Sequence, residues 1–110
     1  MSYFADHELK TWCAPFNAVW HEHKRFEIRR NDRAFKVGDV LRLREWDHEA
    51  ERHTGREVCT EVTYIVPGGS WGLPDDLCVM SIRTITRTVD YGVLGQTEPL
   101  AAKSSKDGGE

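Results

Sequence analysis

No apolar run in this 110-residue chain approaches the ~20 residues a membrane helix needs, which excludes a helical membrane span. The first ten residues, MSYFADHELK, hold no basic segment followed by an apolar one, so a secretory leader is not expected. Cysteine is scarce. Cys13, Cys59 and Cys78 are odd in number and far apart, and no CxxC pair occurs. That argues against a disulfide framework and a zinc ribbon, and it fits free thiols in a reducing, cytoplasmic setting. A glycine-rich phosphate loop is missing too: the stretch PGGSWG, residues 67–72, has neither the lysine nor the helix context of a P-loop. The sequence has no internal repeats.

What remains is 39% hydrophobic and 30% charged, the composition of one small globular domain. A chain of this size buries roughly 60–65% of its unfolded surface, enough for one modest core. The net charge is −3, but it is unevenly spread. Residues 23–36 carry Lys24, Arg25, Arg29, Arg30, Arg33 and Lys36 against Glu27 and Asp32, a local +4 that leaves −7 on the remainder. Such asymmetry steers an anionic partner to one face. The competing reading is a strand with a solvated, charged face.

Hydrophobic periodicity sets the expected elements. Residues 1–6 read as a loose leader. HELKTW (7–12) alternates as a short strand, with His7 and Leu9 on one face and Glu8 and Lys10 on the other. In CAPFNAVW, Pro15 suits a first helical turn, and Phe16, Val19 and Trp20 form one helical stripe, with Trp12 against its start. FEIRR (26–30) reads as a strand with Phe26 and Ile28 on one face and Glu27 and Arg29 on the other. Asn31-Asp32 and Gly38-Asp39 mark turns. VLRLREW (40–46) and REVCTEVTYIV (56–66) are strands joined by a polar loop at 47–55, the tip of a long hairpin. Residues 67–76 form a Gly/Pro loop with Trp71 exposed. LCVMSI (77–82) suits a strand covered on both faces, and RTITRTV continues it or forms another. After Tyr91 the composition becomes that of a disordered tail, 92–110, which leaves 7–91 as the domain. One or two short helices and five or six strands make an α+β fold with a strongly curved sheet, and closure into a small mixed barrel would remove exposed edges.

The order of these residues is similar to the ASCH family of the PUA-like β-barrels. HELKTW comes first, then a helix, then Lys24, Glu27 and Arg29 at the spacing of the signature G-x-K-x-x-E-x-R. Asn31-Asp32-Arg33 and Val37-Gly38-Asp39 follow. The chain most resembles small bacterial and phage ASCH-related proteins of unassigned function, over about residues 7–83. One departure stands out: Glu22 occupies the glycine position, where glycine would permit a positive φ. The resemblance implies a barrel with a helix beside a cleft lined by the lysine, glutamate and arginine. It also implies RNA binding or RNA-linked regulation, while some relatives resemble amidohydrolases of acetylated cytidine and others are linked to RNA cleavage. In the amidohydrolases a threonine, a lysine and a glutamate act together; here the third residue after Lys24 is Glu27, not threonine.

The side chains themselves suit nucleotide recognition. Arg29 and Arg33 offer forked donors to phosphate, and Lys24 and Lys10 offer compact charge. Trp12, Trp46 or Trp71 presents a ring for base stacking, with Trp12 the one assigned to the site. Glu27 accepts from an exocyclic amine or a ribose hydroxyl and so selects orientation. The expectation is therefore an RNA- or nucleotide-binding site of Lys10, Trp12, Lys24, Glu27, Arg29 and Arg33. It needs no cofactor and no membrane. If the protein is an enzyme, it is a small hydrolase of amidohydrolase or ribonuclease type with Lys24 and Glu27 as the catalytic pair. A third possibility is a protein-interaction module of a mobile element, for which the acidic remainder leaves room. His21-Glu22-His23 puts two histidines two apart but supplies no third ligand, so no metal site is expected.

Overall fold

The computed structural model describes residues 4–90. Its first strand, β1 (His7–Trp12), buries Leu9 and Thr11 and turns Glu8 and Lys10 outward, as the alternation requires. The helix α1 (Cys13–Trp20) follows at once, with Trp12 as its N-cap residue in extended conformation. Pro15 sits in the first turn, where a missing N–H costs nothing. Phe16 and Val19 are fully buried, and the helix packs on β1 and on the strand formed by residues 40–47. Two short carbonyl bonds close its end, from His23 N and Lys24 N to Ala18 O. The chain then reverses through Glu22, whose φ is +62°. The left-handed turn for which glycine is usual is therefore kept, at a conformational cost of about 1–2 kcal/mol for a residue with a Cβ.

Strand β2 (Phe26–Arg30) runs antiparallel to the last strand, β5 (Leu77–Val89). Strand β3 (Val40–Asp47) pairs in parallel with β1, His7 opposite Leu41 and Trp12 opposite Trp46, and antiparallel with β4 (Arg52–Val66). β4 pairs with β5, and the sheet order is β1-β3-β4-β5-β2. The polar loop expected at 47–55 is shorter, because β4 begins at Arg52 and pairs it with Asp47. Cross-strand pairing outweighs the low β propensity of this polar stretch. Likewise 77–89 is one continuous strand, bulged against β4 near Cys59-Thr60 and Val62-Tyr64. Such bulges bend a long ribbon and let five strands curl into a barrel-like sheet. Among the described residues the result is α+β, with five strands and one short helix.

The core lies on the concave face: Leu9, Phe16, Val19, Phe35, Leu41, Leu43, Val58, Val62, Cys78, Met80 and Ile82. Burying each large apolar side chain contributes about 1.5–3 kcal/mol, so this cluster holds the sheet curled. Its rims are tied by polar contacts. Asp6, expected in a loose leader, exchanges two bonds with Val40, one from its backbone N–H and one to its carboxylate. His7 Nε2 meets Asp39 Oδ2 at 2.9 Å, and the Lys36 N–H donates to the same carboxylate oxygen at 2.9 Å. Burial alone would raise the Asp39 carboxyl. The Lys36 N–H, the His7 hydrogen bond and the charges of His7 and Lys36 outweigh it and hold the group below the usual carboxylate range. The expected tail, 92–110, and residue 91 lie outside the described residues, as do residues 1–3.

Candidate functional site

Strand β2 is inverted relative to ordinary patterning. Phe26 and Ile28 face solvent at 42% and 50% exposure, whereas Glu27 between them is 2% exposed. A solvated charged face is thereby ruled out for this strand. Pairing with β5 sets the inversion: Glu27 is opposite Met80 and Arg29 opposite Cys78, both fully buried on the concave side. A one-residue slip would bury Phe26 and Ile28 but expel Met80's partner row, so register and not local hydrophobicity decides the face.

The buried carboxylate is held from both sides. Lys24 Nζ is 2.9 Å from Glu27 Oε2 and also donates to Phe26 O at 2.7 Å. Arg29 Nε donates to Glu27 Oε1 at 2.9 Å. The remaining guanidinium nitrogens reach across to β1: Arg29 Nη2 to Thr11 Oγ1 at 3.0 Å, and both Nη atoms to Lys10 O at 3.2–3.3 Å. Arg33 does the same one step along, donating to Glu8 O at 2.9 Å. Thus β1 and β2, the two edges of the curled sheet, are bridged by arginine side chains bonded to backbone carbonyls. The Lys24 and Arg29 side chains keep 20% exposure each, so the cations form a partly wet lid over a dry carboxylate.

A second acid–base group continues this polar floor. Glu45 on β3 is the register partner of Thr11 and is itself buried. Arg56 grips it with Nε at 2.8 Å from Oε1 and Nη2 at 3.0 Å from Oε2, and Thr54 donates to Oε1 at 2.6 Å. Arg56 also lies over the rings of Phe16 and Trp20, which fastens α1 to the sheet. Sequence reasoning passed over Thr11, Glu45 and Arg56. The signal was present for all three: Thr11 continues the inward parity of Leu9, Glu45 that of Leu41 and Leu43, and Arg56 that of Val58.

Three sequence-predicted residues, Lys24, Glu27 and Arg29, come together. Arg33 stands beside them on the same seam, although it does not touch Glu27. Lys10 joins only through its carbonyl: its ammonium is on the opposite face of β1 from Thr11 and sits 4.0 Å from the Trp46 ring centroid. Trp12 shares that outer face and stacks on His48. Much of the positive run is locally compensated, with Arg25 near Glu22, Arg30 bonded to Asp76, and Arg33 near Asp32. The +4 run therefore presents less free charge than the sequence suggests.

No disulfide joins the cysteines among the described residues, and Cys59 and Cys78 are buried. Burial, with a smaller contribution from Asp32, pushes the Cys78 thiol up, away from a nucleophilic thiolate. Among the described residues no group of three or more His, Cys, Asp or Glu is placed to hold a metal ion. No helix among them is long and apolar enough to cross a membrane.

Comparison with known proteins places this geometry in a family. The family described as a domain of unknown function, DUF3850, matches residues 6–82, from the Asp6–Val40 tie through the last concave residue of the core, Ile82. The chain belongs to the DUF3850 family. The match takes in β1, α1, β2, β3, β4 and the first half of β5, and so both acid–base groups of this DUF3850 domain. The chain is also similar to an uncharacterized 12.9 kDa protein in the GpA 3' region of Escherichia phage P2. The two are 35% identical over 97 residues, which span 88% of this chain and 76% of the phage protein.

Proposed function

We propose that this DUF3850 domain is an ASCH-type, PUA-like module that binds RNA or a nucleotide at the seam between β1 and β2, with Lys24, Glu27 and Arg29 as the recognition group. The observation that carries this reading is the burial of Glu27 between two cations on a strand whose apolar residues are turned outward. As a stabilising device the arrangement is poor. Desolvating a carboxylate and its partners costs several kcal/mol, and apolar residues of similar volume commonly do as well or better. Retaining charged groups at that cost fits a binding role.

The chemistry follows from the donor inventory. An incoming phosphate competes with Glu27 and with the Lys10 and Glu8 carbonyls for the forks of Arg29 and Arg33. Glu27, once shared, accepts from an exocyclic amine or a ribose hydroxyl, a choice that favours RNA over DNA where the 2'-hydroxyl is the donor. Lys24 supports this over a proton-transfer role, because both of its bonds, to Glu27 and to the Phe26 carbonyl, use it as a donor.

The test is titration of short single-stranded RNA with the full chain at two salt concentrations. Affinity is expected to fall steeply with salt and to weaken at least tenfold in Lys24→Ala and Glu27→Gln. Absence of binding by the wild type at low salt rules the proposal out.

A further inference from the structure

The outer face of β1 carries a second arrangement that the seam does not use. Trp12 and His48 lie ring on ring, with centroids 4.1 Å apart and planes 10° from parallel. His48 is exposed and belongs to the four-residue turn, 48–51, between β3 and β4. No hydrogen bond anchors its imidazole among the described residues; its one partner is the indole. The turn is organised from beneath: Asp47 Oδ1 accepts from Glu49 N at 3.0 Å and Ala50 N at 3.1 Å. The imidazole therefore rests on the indole as a planar heterocycle, in the geometry a nucleobase adopts on an aromatic side chain.

The surroundings complete a nucleotide-sized surface. Trp46, in register with Trp12 on the neighbouring strand, carries the Lys10 ammonium 4.0 Å from its ring centroid. Lys10 makes no carboxylate ion pair among the described residues, unlike Lys24 and Arg29, which share Glu27. A free ammonium beside a stacking ring suits a phosphate next to a stacked base. The backbone of residues 10–12 links this surface to the seam, since Arg29 bonds Lys10 O and Thr11 Oγ1. Trp12 is half-buried, whereas Trp71 is 96% exposed and makes no ring contact among the described residues. Trp12 is the one already organised for stacking.

We infer that the Trp12 indole is a base-stacking platform for single-stranded RNA, with the phosphate beside that base on Lys10, and that His48 covers the platform until a base displaces it. This rests on the RNA-binding reading of the seam. It adds a separate subsite and names the residue that must leave.

The experiment is fluorescence anisotropy of labelled oligouridylate and oligoadenylate with the full-length chain at low salt. His48→Ala is expected to bind severalfold more tightly than wild type, because no resident ring competes. Trp12→Ala is expected to bind roughly tenfold to a hundredfold more weakly, while Trp12→Phe retains most of the affinity. Urea midpoints of all three variants identify any loss due to unfolding, and His48→Ala adds a readout that a structural role would not move, since a merely structural stack gives no gain of affinity. If RNA binds and Lys24→Ala weakens it while His48→Ala and Trp12→Phe/Trp12→Ala match wild type, the platform is overturned and the seam reading survives. If neither wild type nor His48→Ala binds either oligomer, both are overturned.

Discussion

Glu27→Gln is the substitution that most directly probes the inverted strand. The amide keeps the size of the carboxylate and one oxygen, but removes the charge shared by Lys24 and Arg29 at 2.9 Å on each side. Breaking a buried ion pair from one side costs about 3–5 kcal/mol. Three features of the site reduce that figure. Each cation keeps one-fifth of its side chain in water, Lys24 retains the Phe26 carbonyl, and Arg29 retains Lys10 O and Thr11 Oγ1. Converting one charge-assisted bond to an ordinary one costs about 1 kcal/mol, and turning the amide NH2 toward the other cation loses that contact outright, for about 1–2 kcal/mol more. The expected loss is therefore about 2–3 kcal/mol, or roughly 10–15 °C in Tm for a domain of this size. Urea denaturation followed by tryptophan fluorescence measures it as a lower midpoint at unchanged slope. A surface pair, by contrast, contributes about 0–1 kcal/mol and fades with salt. A loss under about 0.5 kcal/mol, or one abolished by added salt, would refute the buried position assigned to Glu27.

Three further outcomes follow from local geometry. Glu22→Gly removes a Cβ from a backbone at φ +62° and gives up only an exposed 3.9 Å pairing with Arg25, so the thermal midpoint is expected to rise by a few degrees, about 0.5 kcal/mol net of glycine's extra unfolded-state freedom; a lower midpoint contradicts the strain. Gly68→Ala places a methyl 2.7 Å from the Leu77 carbonyl oxygen and closer still to the Asp75 carbonyl, both backbone atoms that cannot swing away; a loss of about 1–3 kcal/mol is expected in calorimetry, and a neutral result would mean the 67–76 loop is not packed as described. Because the Asp39 carboxyl is held below its usual range, its contribution is full above the unfolded value near 3.8 and is lost as pH falls through the lower folded value. Acid unfolding followed by circular dichroism should therefore lose part of its steepness below about pH 4 in Asp39→Asn, and an unchanged profile would contradict the shift.

The strands and the helix were legible because their periods are plain. Leu41 and Leu43 alternate with Arg42 and Arg44, and Phe16 and Val19 fall on one helical stripe. The charged trio was legible as a spacing, and the glycine-to-glutamate departure pointed to a turn that the backbone does make at Glu22. The face of β2 was not legible. Phe26 and Ile28 argue locally for the core, yet their strand is registered against Cys78 and Met80, which puts Glu27 there instead. Lys10 and Trp12 were assigned to the same site as Glu27 on charge and ring type alone. Strand alternation sends them to the opposite face from Thr11, while Arg29 still reaches the Lys10 carbonyl.

By itself, then, the sequence determined which segments are extended or helical, where the chain turns, and which residue types carry charge, since these depend on local propensity and period. Only the tertiary structure decided which side of each strand meets the core, which cations are neutralised, and how two distant sheet edges come close enough for arginine forks to span them. Those outcomes depend on register between segments far apart in the chain, and a pairing shifted by a single residue would reverse every one of these side chains without changing a letter of the sequence.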